Sequence, residues 1–142
     1  MSTGYIPIMP APSADAMSVG NVSALLSEIE TRLEILSTRR EPGWIDLRSL
    51  PFSTQEREQL KALLGQGEVV AQIEALGPSE VVETGYAGVW WITHRNADGV
   101  VVAELIEVAL VPDLLASQMQ DIQASLSRLQ STIPRCRNMS EE

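Results

Sequence analysis

Aromatic residues, cysteine and histidine are scarce in this chain of 142 residues. Aromatic side chains make up 4% of the sequence, so any core must be built mainly from aliphatic residues. The single cysteine excludes a disulfide within the chain, which is typical of a reducing compartment. Zinc and iron–sulfur sites need several cysteine or histidine ligands, and the chain has one of each. We therefore expect no zinc or iron–sulfur site and no cofactor, and a magnesium or calcium site built from carboxylates alone is the one metal alternative left open.

Basic residues and long apolar runs are also few. Ten lysines and arginines stand against nineteen acidic residues, which gives a formal net charge of −9. Such a surface repels the phosphates of nucleic acids and of anionic lipids. No apolar run reaches the roughly 18 residues that span a bilayer, and the N-terminal sequence lacks the pattern of a secretory signal. The sequence predicts a cytoplasmic protein that binds neither nucleic acid nor membrane.

Three segments, 21–40, 51–67 and 112–133, have apolar residues at helical spacing. In the second, Ser53 and Glu56 form the pattern of a capping box, in which each side chain accepts a free backbone N–H. The third is predicted to end at the proline that follows it. Its apolar residues are spaced alternately by four and three, and we expect this seam to pack on a sheet, with a helix–helix contact as the alternative. The seam consists of Leu115, Met119, Ile122, Leu126, Leu129 and Ile133.

Between the helical segments the sequence is rich in β-branched residues and has short turns, as strands joined by hairpins do. The order of the segments is one helix, one strand, one helix, four strands and one helix. This order predicts an α+β fold, with a mostly antiparallel sheet of about four to five strands and two to three helices packed on one face. The other face would be partly open. The predicted strand segments are 44–50, 68–76, 80–85, 89–95 and 100–111.

The ends of the chain differ in composition from its middle. Residues 1–20 contain three prolines and several small residues, and we interpret them as a flexible arm. Residues 21–134 are predicted to form a single α+β domain. Residues 135–142 are predicted to be a flexible tail.

The most informative aromatic residues are the adjacent Trp90 and Trp91. Neighbouring side chains of a strand point to opposite faces, so one tryptophan is expected in the core and the other on the open face. An outward tryptophan beside Tyr86 would be a stiff anchor of the kind enriched in protein interfaces. The alternative is a second small cluster beneath the N-terminal arm.

Several carboxylates lie on the same predicted strands, among them Glu83, Glu104 and Glu107. The preferred interpretation is an acidic edge that faces solvent or a partner. The alternative is a small enzyme that uses a pair of these carboxylates for acid–base chemistry, with a divalent metal ion as an option.

The run 67–122 resembles the C-terminal conserved region of the HupH/HyaF hydrogenase expression proteins. The resemblance rests on "IDLRSLP", "LGQGEV", "SEVVETGYAGVWW" and "ELIEVALVPDLL", in that order, and extends over roughly residues 21–125. Each piece alone is a weak signal, but their combination is specific. Members of this family are longer and have an additional N-terminal half.

The resemblance implies a non-catalytic chaperone or scaffold in the maturation of [NiFe]-hydrogenase. The implied partner is the iron–sulfur small subunit or another accessory protein. From the exposure arguments above, we expect its contacts to include Tyr86, Trp90, Trp91, Glu83, Glu104 and Glu107. A homodimer formed through the 115–133 helix is a further interpretation.

Overall fold

The computed structural model describes residues 14–74 and 77–141. They form two compact units, the first ending at Leu110 and the second beginning at Val111. None of the described helices is both long and apolar enough to cross a membrane.

In its described residues, the first unit has two α-helices and five β-strands, and the strands form one antiparallel sheet in the order β1-β5-β4-β3-β2. The predicted α+β fold is confirmed. The helices are α1 (Ala14–Arg39) and α2 (Thr54–Leu64), and the strands are β1 (Gly43–Asp46), β2 (Val70–Glu74), β3 (Pro78–Glu83), β4 (Val89–Arg95) and β5 (Val101–Val108).

Helix α1 begins at Ala14, upstream of its predicted start, so part of the predicted arm is helical. Residues 1–13 of that arm lie outside the described residues. The apolar face of α1 is buried. Val22, Leu25 and Ile29 recur at helical spacing along this face, and each is at most 4% exposed. The helix ends at Arg39.

Helix α2 has half of the predicted capping box. The Glu56 N–H donates to Ser53 Oγ at 3.1 Å, as expected. The Glu56 carboxylate, however, accepts a hydrogen bond from Asn21 Nδ2 of α1 at 3.2 Å. This side chain therefore links the two helices.

The main hydrophobic core lies on the sheet face that carries Trp91. Trp91 is paired across the strands with Ile106 of β5 and with Val82 of β3, so these side chains share a face. Helices α1 and α2 contribute to the same core, and all of its buried members except Trp91 are aliphatic. The buried members are Val22, Leu25, Ile29, Leu36, Ile45, Leu47, Leu60, Leu64, Val89, Trp91, Ile106 and Val108.

The opposite sheet face is not open in its middle. Val81, Ile92 and Trp90 lie on this face and are 0%, 2% and 7% exposed. The Trp90 indole N–H donates to the carbonyl of Ala109 at 3.1 Å, which satisfies its polar group. The expectation of an open face is therefore wrong at the centre of the sheet.

The second unit contains a short 3-10 turn, Asp113–Leu115, and helix α3, Met119–Met139. The prediction that this helix ends at Pro134 is wrong. Proline disfavours a helix interior by about 3 kcal/mol without forbidding it, and the arginines and methionine that follow favour a helix. No described side chain of α3 is buried. The five seam residues within this helix are exposed, whereas Leu115 lies in the 3-10 turn and is half-buried.

Candidate functional site

Four residues from four strands form one row across the sheet, which we call the Trp–Glu row. Trp44 of β1 pairs with Glu107 of β5, Glu107 pairs with Trp90 of β4, and Trp90 pairs with Glu83 of β3. Residues that pair directly across antiparallel strands share a sheet face. The fold thus unites three of the predicted partner contacts, Glu83, Trp90 and Glu107, and adds Trp44.

Trp44 is the exposed end of this row. It lies on β1, the strand at one edge of the sheet, and it is 64% exposed. Its neighbour Ile45 is 5% exposed and belongs to the core, so strand alternation directs Trp44 away from the core. The sequence prediction overlooked Trp44, although strand alternation directs its side chain away from the face of the apolar Ile45.

Trp90 and Trp91 do point to opposite faces, but both are buried, at 7% and 5% exposed. The prediction that one of them is an exposed anchor is wrong, because both sheet faces are covered at this position. Lys61 of α2 places its ammonium group 5.1 Å from the centre of the Trp91 ring, a cation–π contact. The outward tryptophan of this domain is Trp44.

The predicted carboxylates are divided between the two faces. Glu104 faces away from the Trp–Glu row, is 5% exposed, and forms an ion pair with Arg57, whose Nε lies 2.7 Å from its Oε1. Glu83 and Glu107 are half-buried and stand two strands apart with Trp90 between them, about 10 Å at the backbone. The structure therefore does not bring the three together as a pair or cluster for acid–base chemistry.

The cavity beside the sheet has a volume of about 350 Å³ and includes Glu80 and Lys61 in its lining. It contains none of Glu83, Glu104 and Glu107. Within the described residues, no group of three or more histidine, cysteine or carboxylate side chains is arranged to hold a metal ion. The geometry around the sheet thus gives the enzyme alternative no support.

Tyr86 lies on the tight loop between β3 and β4 and is 54% exposed. The hydroxyl of Thr84 donates to the Val89 carbonyl at 2.9 Å across this loop. The Gly85 N–H donates to the carbonyl of Leu64 at the end of α2, and a Cβ at position 85 would lie 2.9 Å from that oxygen. Gly88 has a φ of 88°, which favours glycine. These contacts explain the sequence "TGYAG" as a loop anchored on α2.

The anchored loop places Tyr86 beside helix α1. Tyr86 and Leu64 line a cleft of about 300 Å³ together with Leu26, Glu30 and Leu33 of α1. This cleft and the exposed end of the Trp–Glu row are the two places where predicted or newly found aromatic side chains are accessible. Both could contact another protein, but Trp44 offers the larger anchor.

Comparison with known proteins identifies similar sequences and a similar structure. Residues 19–136 match the family described as "HupH hydrogenase expression protein, C-terminal conserved region". The chain is 30% identical over 120 residues to the hydrogenase expression/formation protein HupH of Rhizobium leguminosarum bv. viciae, covering 84% of this chain and 41% of that protein. It is 28% identical over 88 residues to HoxQ of Azotobacter vinelandii, covering 62% of this chain and 31% of that protein.

A solved structure is also similar, that of the hydrogenase expression protein HupH from Thiobacillus denitrificans ATCC 25259. The TM-score is 0.79 at 41% sequence identity, over 82% of this chain and 97% of that chain. The chain spans about a third to two fifths of the length of the two curated relatives above.

Proposed function

Because the chain belongs to the HupH family of hydrogenase expression proteins, we propose that it is a non-catalytic accessory protein in hydrogenase maturation. Its relatives are named for hydrogenase expression and formation. The arrangement of its carboxylates supports a binding role over a chemical one, since Glu104 is engaged by Arg57 and the others stand apart. The expected partner is a hydrogenase subunit, in the first place the small subunit, or another accessory protein.

We place the partner surface at the exposed end of the Trp–Glu row. The observation that carries this assignment is Trp44, a tryptophan that is 64% exposed on an edge strand. Large aromatic side chains dominate the binding energy of many protein interfaces, and exposing one in an otherwise aliphatic protein costs solvation energy. A partner that covers the indole would remove this cost.

The acidic surroundings of Trp44 support a partner surface with basic residues. Glu107 is its cross-strand neighbour, and the exposed Asp46 lies two residues along β1 on the same face. The whole chain has a formal net charge of −9. We expect a partner surface with an apolar pocket for the indole and basic residues at its rim, because complementary charge speeds association and fixes orientation.

The test is Trp44→Ala in a pull-down of hydrogenase small subunit and accessory proteins from cells that express the hydrogenase. Truncating a tryptophan hot spot costs about 2 kcal/mol or more, so we expect binding to weaken about thirtyfold or more. The matched control is Leu63→Ala, which also removes an exposed apolar side chain, 58% exposed, but belongs to α2 and not to the Trp–Glu row. This control is expected to bind as the unchanged protein does.

Two results would count against the proposal in different ways. If Trp44→Ala stays folded and recovers its partner undiminished, the surface is wrong while the function stands. If the unchanged protein captures no hydrogenase component, the binding function itself is wrong. Variants of Trp90 and Trp91 are poor tests, because both side chains are buried and their removal damages the fold.

A further inference from the structure

Helix α3 carries an exposed apolar seam. Its five seam residues are spaced by three and four, and their exposed fractions are 67% for Met119, 45% for Ile122, 56% for Leu126, 59% for Leu129 and 44% for Ile133. Cys136, also exposed, follows Ile133 by three residues and continues the seam. A stripe with this spacing is the pattern that packs against another helix.

The seam is symmetric about its own midpoint. In an antiparallel pair of α3 helices, Met119 of one copy faces Cys136 of the other, Ile122 faces Ile133, and Leu126 faces Leu129. The seam alternates between two kinds of position: those followed by a spacing of three residues and those followed by a spacing of four. In the antiparallel pair each position of one kind faces a position of the other kind, as in antiparallel two-helix packing. The same face is therefore complementary to itself, which a two-fold symmetric dimer requires.

The charges on α3 favour the antiparallel direction. Asp121 lies in the first turn, whereas Arg135 and Arg137 lie near the C-terminal end. In an antiparallel pair, the end of each helix that carries Asp121 lies beside the partner's arginine-bearing end, and the helix dipoles are oriented favourably. Asp121 and Arg135 lie outside the contact itself, so this attraction acts between the helix ends. A parallel pair would instead gather the arginines of both copies at one end.

We propose that the chain forms a homodimer in which α3 pairs antiparallel with α3 of a second copy. Pro134 is compatible with this pairing, because it lies beside the seam and not within it. The inference is independent of the proposed function, since α3 contains no residue of the Trp–Glu row.

Light scattering after size exclusion, at a series of concentrations, gives the first test. We expect a dimer for the unchanged chain and, for Leu126→Glu, a twofold lower mass equal to the 15.5 kDa of one chain. The matched control is Ala124→Glu, which adds the same charge to the same helix outside the seam and should remain dimeric. Both positions are exposed, so neither substitution disturbs a packed core.

Disulfide cross-linking tests the direction of the helices. In the antiparallel pair, Met119→Cys places a thiol opposite the partner's Cys136, and mild oxidation should yield a covalent dimer. Within one helix these positions are about 26 Å apart, so the bond can form only between copies. Adding Cys136→Ser to this variant should abolish the cross-link, and Gln120→Cys, which lies outside the seam, should not form one.

The outcomes separate clearly. Dimers that dissociate with Leu126→Glu and cross-link with Met119→Cys support the proposal. A monomer at all concentrations overturns it. Ready cross-linking of the unchanged chain through Cys136 also overturns it, because the two native thiols meet only in a parallel pair and stand about 26 Å apart in the antiparallel one.

Discussion

Helices α1 and α3 have similar patterns of apolar residues but different surroundings. In α1, Val22, Leu25 and Ile29 are at most 4% exposed, whereas in α3 no described side chain is buried. Spacing determines which side chains share a stripe on a helix. It does not determine what covers that stripe, which can be the same chain, a second copy or another protein.

The prediction with the largest expected effect compares the same substitution, isoleucine to alanine, in the buried stripe of α1 and in the exposed stripe of α3. Ile29→Ala in α1 should reduce the free energy of unfolding by about 2–5 kcal/mol, because it leaves a cavity in the core. Ile122→Ala in α3 should change the stability of the first unit by less than about 0.5 kcal/mol. Urea denaturation followed by tryptophan fluorescence measures this quantity, since Trp44, Trp90 and Trp91 all belong to the first unit. If both substitutions reduce the free energy of unfolding equally, the difference in burial between α1 and α3 is wrong.

The second prediction extends the comparison to ion pairs. Arg57→Met removes the partner of the buried Glu104, and we expect a loss of about 1–3 kcal/mol in the free energy of unfolding. Arg32→Met is the matched control, since Arg32 pairs with Glu28 one turn away on α1, where both side chains remain partly exposed at 33% and 46%. Exposed pairs at this spacing are worth about 0.3–0.5 kcal/mol. A loss for Arg57→Met no larger than for Arg32→Met would show that the α2–sheet contact does not need this pair.

The smallest expected effect concerns the three tryptophans. Trp44→Phe should change the free energy of unfolding by less than about 0.5 kcal/mol, because the side chain is 64% exposed. It should nevertheless remove most of the fluorescence that iodide quenches, since Trp90 and Trp91 are buried. If iodide quenching is the same in Trp44→Phe and in the unchanged chain, the assignment of Trp44 as the accessible tryptophan is wrong.

Much of the fold was predictable because its signals are local. Alternation of β-branched residues indicated the strands, helical spacing indicated the helices, and short turns indicated antiparallel pairing. The resemblance to the HupH proteins, based on pieces such as "SEVVETGYAGVWW", is also confirmed. The end of α3 was missed because a proline signal was given more weight than the helix-forming residues that follow Pro134.

The candidate site was less predictable, because it depends on neighbours distant in sequence. Glu83, Trp90 and Glu107 belong to three strands, and only their pairing register aligns them in one row with Trp44. Strand alternation already places Glu104 and Glu107 on opposite faces, but only the tertiary structure brings Arg57 of α2 to Glu104.

The sequence by itself determined that Trp90 and Trp91 point to opposite faces, because the side chains of a strand alternate. Only the tertiary structure decided that both are buried, since both sheet faces are covered at the centre, and that Trp44 is exposed, since its strand lies at the edge. Alternation is a property of the backbone, whereas burial depends on which distant segments reach a given face.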